Sequence, residues 1–278
     1  MDLTLFSIRY IIIRTGPGTC HKLSAEQENA IMSRTRKILS LLINIYLFVS
    51  TAVICILAVS TPGRPGSQMY NFRGFRRLMF YTVDSNIFMA LCALLLIIYI
   101  CLEKRRLARG KKILPDFVRF LCLAASVSVG VTFVTVACFL SPGQALAGRG
   151  YFSLFTGNNL FLHLLNPLAG CVDFIFFVPA AGTGDAAFGD APGAVPGVAP
   201  GWRFSLKDCL IGVIPTAIYA IVYTVNVVFT RSWPDIYNFT FGGNYMLAPV
   251  VIIIMLALAF GIAALLTRLH NRVWKLVK

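Results

Sequence analysis

The chain has 278 residues, 58% of them apolar and only 13% charged, with a mean hydropathy of +0.77. That balance excludes an ordinary water-soluble globule and points to an all-α, polytopic integral membrane protein. The formal net charge of +14 does not call for nucleic acid, because the basic residues cluster beside apolar segments, where anionic lipid headgroups attract them.

From the N-terminus, residues 1–37 read as a cytoplasmic tail. Within it LFSIRYIII is short and carries Arg9, so it is expected at the interface rather than across the bilayer, and no small-residue cleavage site follows it. GPGTCHK lacks the GxxxxGK[ST] order of a nucleotide loop. Six apolar runs follow, near 38–60, 80–102, 117–140, 155–179, 208–230 and 246–267, each long enough to cross ~30 Å of hydrocarbon as a helix. They are continuously apolar, as in ALLLIIYICL, whereas barrel strands would alternate. A membrane domain over 38–267 and a basic cytoplasmic tail over 268–278 complete the chain.

The loops set the expected orientation. Of the 25 Lys and Arg residues, 18 fall in the two tails, loop 103–116 and loop 180–207, and six in the opposite loops, with Arg119 inside the third span. The positive-inside bias then places both termini in the cytoplasm. Loop 180–207 opens with AAGTGDAAFGDAPGAVPGVAPG, a Gly/Ala/Pro composition that reads as a flexible linker. Seven of the eight cysteines (Cys55, Cys92, Cys101, Cys122, Cys138, Cys171, Cys209) lie in or beside spans without CxxC spacing, and read as small buried hydrophobes. With three histidines, two of them in the tails, no metal site is expected. Asn238-Phe239-Thr240 is a glycosylation acceptor only in a secretory eukaryote.

Polar residues inside the spans suggest a site. In the fourth span Thr156, Asn159, His163, Asn166 and Asp173 follow helical spacing and are expected on one inward face. The fifth carries Thr216, Tyr219, Tyr223 and Asn226 in the same manner, beside Pro215. At the head of the second, FYTVDSN sets Thr82 and Asn86 on one face and Asp84 on another. Taken singly, such Asn, Thr and Tyr residues serve as interhelical glue. His163 is also the one span histidine able to act as a base, with Thr82, Ser85 or Thr156 as hydroxyl partner. Asp173 lies some 15 Å along the axis from His163, too far to orient it, and is expected to pair with Arg203 or Lys207 or to be structural.

FYTVDSN, NLFLHLLNPLAGCVDFIFF and IPTAIYAIVYTVNVVFTRSWPDIYNF, between about residues 72 and 240, together resemble the pattern of the bacterial Pr6Pr family of membrane proteins. These are similar in turn to the androgen-induced, FAR-17a-like intramembrane hydrolases of animals. The shared elements are Thr-x-x-x-Asn, His-x-x-x-Pro and a Trp-Pro or Tyr-Pro after the fifth span, here Trp233-Pro234. The resemblance implies a hydrolase of lipid (fatty acid) esters in the bacterial cytoplasmic membrane, with Thr82 as nucleophile and His163 as base, without a cofactor. Asn86, Asn159 and Asn166 are candidates to hold the oxyanion, and Tyr219 and Tyr223 to line the pocket. Membrane lipids are the expected partners. The alternative class is a non-enzymatic transporter, channel or lipid-binding protein with a His/Asp-lined interior.

Overall fold

The computed structural model describes residues 25–60, 78–107, 114–178, 203–237, 239–240 and 243–276. The chain divides at Thr35 into a first unit, Met1–Thr35, and a second, Arg36–Lys278. The described part of the first unit is helical from Ala25. Most of the N-terminal tail and the linker, much of loop 103–116, and Asn238 lie outside the described residues.

Six helices are long and apolar enough to cross a membrane, and no strand occurs among the described residues. We label them α1 (Ala25–Ser60), α2 (Tyr81–Leu107), α3 (Asp116–Leu146), α4 (Asn158–Phe176), α5 (Leu206–Phe229) and α6 (Ala248–Leu276). The protein is therefore a polyhelical integral membrane protein. Two ends differ from expectation: α1 begins well inside the tail assigned to 1–37, and α6 runs through the tail assigned to 268–278. Thr267, His270 and Trp274 recur at helical spacing on α6, and His270 is 0% exposed, with its Nε2 on the Val178 carbonyl at 3.0 Å. A turn that buries a histidine this way belongs to the core, whatever its flanking charge.

α3 is the centre of the bundle. In its apolar window 67% of residues are buried, against 22% to 39% in the other five helices. α2, α4, α5 and α6 all pack on it. The cause lies in the run LAASVSVG, residues 123–130, whose small side chains let neighbouring backbones approach, as helix contacts inside a membrane require. Gly212 of α5 marks a close three-helix junction. A Cβ there would stand 3.1 Å from Val127 and 3.3 Å from Ala263, so α3 and α6 both close on that position.

Three spans contain one turn of wider, π-type backbone: Val136–Leu140 in α3, Phe161–Leu165 in α4 and Val225–Phe229 in α5. The first two precede Pro142 and Pro167. A proline has no N–H to donate and its ring crowds the carbonyl four residues earlier, here that of Cys138 or His163, so the ladder widens locally. α5 instead runs as a continuous α-helix through Pro215, leaving the Ile211 carbonyl without its helical donor. All seven described cysteines are free. Cys92, Cys122 and Cys209 are buried as expected, but Cys101 and Cys138 are exposed on the bundle surface.

Candidate functional site

The predicted inward stripe of the fourth span is broken by the wide turn at Phe161–Leu165. Thr156 and Asn159 precede it and are exposed. Asn166 and Asp173 follow it and are buried, 0% and 3% exposed. His163, within the turn, is partly buried and faces the segment before the helix: its Nδ1 lies 2.8 Å from the Leu154 carbonyl. That segment is a short 3-10 helix, Tyr151–Phe155, and returns into α4 through Gly157, whose φ of +56° suits a residue without a Cβ.

The bond to Leu154 selects the tautomer of the neutral ring. A carbonyl only accepts, so Nδ1 carries the proton of the neutral imidazole and Nε2 is left as the acceptor. Leu154 thus supplies from the backbone the orienting contact that a carboxylate provides in other sites. It could not be found in the sequence, since any residue there has a carbonyl.

Asn86 ties α2 to this turn. Its Nδ2 donates to the Thr82 carbonyl at 2.7 Å and to the Leu162 carbonyl at 3.0 Å. Asn166 Nδ2 donates to Asn86 Oδ1 at 3.1 Å and Thr51 Oγ1 at 3.2 Å, while its Oδ1 accepts from Ser50 at 3.0 Å. The network joins α1, α2 and α4 around the residue next to His163. An amide nitrogen has two protons, so both asparagines already use every donor they have. As oxyanion donors they are therefore occupied, and Asn159, the third such candidate, is exposed.

Asp173 meets neither Arg203 nor Lys207, both of which are exposed. Its Oδ1 accepts instead from Asn44 Nδ2 at 3.0 Å and Ser40 Oγ at 3.4 Å, both on α1. These two neutral donors hold α1 to α4, far from His163.

Thr82 sits in the first turn of α2, where helix amides lack partners. Tyr237, from the loop after α5, supplies one: the Tyr81 amide donates to its phenol oxygen at 2.9 Å. The Thr82 amide and hydroxyl lie beside the same oxygen. Burial pushes the Tyr237 phenol up to about 12, although hydrogen bonds from the Tyr81 amide and Thr82 work the other way. It keeps its proton at neutral pH. Among the described residues no hydrogen bond joins Thr82 to His163; the neighbour of the threonine hydroxyl is Tyr237.

Asp235 holds that loop in place. Its carboxylate accepts from the Thr240 amide at 2.8 Å, Thr240 Oγ1 at 2.7 Å, the Phe239 amide at 2.8 Å and the Tyr223 phenol at 3.1 Å. Partial burial alone would raise its pKa, but these four donors outweigh it and hold the carboxyl below the usual range. Tyr223 in turn accepts from the Tyr237 amide at 3.2 Å. Tyr223 therefore helps to organise the loop. Tyr219 donates to the Met79 carbonyl and packs edge-on against Tyr81, ring centroids 5.0 Å apart.

Thr-x-x-x-Asn, His-x-x-x-Pro and the Trp-Pro loop thus meet around the first turns of α2. The Asn86–Leu162 bond joins the first two, and the Tyr237 contacts join the first and third. No group of three or more His, Cys, Asp or Glu able to hold a metal occurs among the described residues. No protein family, curated protein or solved structure matches the chain.

Proposed function

We propose that the protein is a hydrolase of lipid (fatty acid) esters in the bacterial cytoplasmic membrane, with both termini in the cytoplasm, Thr82 as nucleophile and His163 as base. The observation that carries this reading is the Nδ1–Leu154 bond, which leaves Nε2 of a neutral imidazole as the proton acceptor, one residue from the Leu162 carbonyl that anchors the Thr82 helix. The convergence of the three motifs that resemble the Pr6Pr and FAR-17a-like pattern supports it further.

In this mechanism Thr82 Oγ1 turns from Tyr237 toward His163, a rearrangement consistent with the loose geometry usual before substrate binds. The hydroxyl oxygen attacks the ester carbonyl carbon as Nε2 takes its proton. The tetrahedral intermediate collapses, the carbon–alkoxy bond breaks, and the imidazolium returns the proton to the departing alcohol. Water then repeats the sequence on the acyl-threonine and frees the fatty acid. Tyr237, protonated at neutral pH and adjacent to Thr82, is the donor placed to hold the oxyanion. Removing one such donor costs about 3 to 4 kcal/mol in well-placed cases.

The test is turnover of a fluorogenic long-chain ester by the purified protein in lipid nanodiscs. Wild type should release fluorophore, and Thr82→Ala and His163→Ala should each reduce the rate at least ~100-fold. A wild type without activity, or variants as active as wild type, would overturn the assignment.

A further inference from the structure

α2 and α5 each pack closely on α3 but scarcely on each other. Between them runs a cleft of about 550 Å³ with α3 as its floor. Near the start of α2 the two helices are linked: Tyr81 and Tyr219 are in ring contact and the Tyr81 phenol bonds Thr216 Oγ1 at 2.7 Å. From Val222 to Ile211 on α5 the lining extends inward for ~16 Å. The side toward the lipid is flanked by Ile214 and Ile218, 50% and 56% exposed.

The two ends differ in chemistry. The inner part is lined by Phe88, Phe120, Leu121, Ile211 and Ile214, and is apolar throughout. The outer part brings Asp84 together with Tyr81, Tyr219 and Trp233. Among the described residues Asp84 makes no side-chain hydrogen bond or ion pair, and no Lys, Arg or His lines the cleft. A carboxyl at membrane depth without a partner is costly and marks a site. Aromatic rings around a carboxylate are the surroundings that ammonium groups favour.

We propose that this cleft binds a single-chain amphiphile with an ammonium head, entering sideways from the bilayer, its head at Asp84 and its chain along α5. The volume falls in the range of small-ligand sites and suits one alkyl chain rather than two. On α2, Tyr81, Asp84, Ser85 and Phe88 face the cleft, whereas neither Thr82 nor His163 lines it. The site is therefore separate from the proposed hydrolytic centre and goes beyond it.

Trp233 provides the readout. In a Trp202→Phe, Trp274→Phe background in phosphatidylcholine nanodiscs, quenching is titrated with brominated dodecyl amphiphiles bearing trimethylammonium, sulfate or neutral glycol heads. The ammonium should bind about tenfold or more tightly than the glycol, as a charge-assisted contact implies, and the sulfate most weakly. Asp84→Asn should abolish the preference for ammonium over glycol, and Ile214→Trp, which fills the chain groove, should weaken all three. Thr82→Ala and His163→Ala should leave binding unchanged. Equal affinity of wild type for the ammonium and glycol heads, or a preference for sulfate, overturns the proposal. The head-group comparison on wild type decides it even if a variant fails to fold.

Discussion

Tyr237 joins two roles at one phenol: it caps the first turn of α2 and stands beside the proposed nucleophile. Tyr237→Phe should lower stability by roughly 1 kcal/mol, the scale of a lost helix cap, and should reduce ester turnover while leaving Km little changed; thermal unfolding and steady-state kinetics measure the two. Asp235 adds a pH dependence of defined sign. Its folded pKa is depressed, so its contribution is complete above the ordinary carboxylate pKa and is lost as pH falls through the folded value. The thermal midpoint of wild type should drop on acidification through that window, and Asp235→Asn should flatten that part of the profile. Asn166 was legible in the sequence only as a polar residue in a span. Its partners, Thr51, Ser50 and Asn86, come from α1 and α2, and no local spacing shows which helices will meet. Asn166→Leu should destabilise by about 1 to 3 kcal/mol, because Asn86 Oδ1 and Thr51 Oγ1 would lose a buried donor.

The spans themselves were readable, since twenty apolar residues in a row leave few alternatives. Their interruptions were not. The spacing of Thr156, Asn159, His163 and Asn166 placed all four on one face only by assuming 3.6 residues per turn throughout, and the wide turn at Phe161–Leu165 removes that assumption. Pro167 was the available signal, because its ring crowds the His163 carbonyl. Pro167→Ala should let the turn relax toward regular helix and rotate His163 away from Leu154. The expected outcome is ester turnover reduced at least ~10-fold together with unchanged or higher thermal stability, since proline inside a helix is unfavourable by ~3 kcal/mol. A purely structural role for the turn would lower both. At the junction of α3, α5 and α6, Gly212→Val should cost about 1 to 3 kcal/mol by overpacking against Val127 and Ala263.

At the scale of the whole molecule, α3 forms the axis, and its small residues at 123–130 let the other helices close on it. The pairing of motifs from α2, α4 and the loop after α5 was not legible, because each is separated from the next by 60 residues or more and only the packing order around α3 brings them to one end. The proposed function depends on that convergence: Thr82 and a protonated phenol lie at the start of α2, and the turn that carries His163 is tied to the same helix through Asn86. The most direct measurement is intact-protein mass spectrometry after treatment with a long-chain fluorophosphonate, with the adduct located by fragmentation. A single phosphonate on Thr82 of wild type, absent from His163→Ala, is the predicted result. An unmodified Thr82 under conditions that label a control serine hydrolase in the same nanodiscs would contradict it.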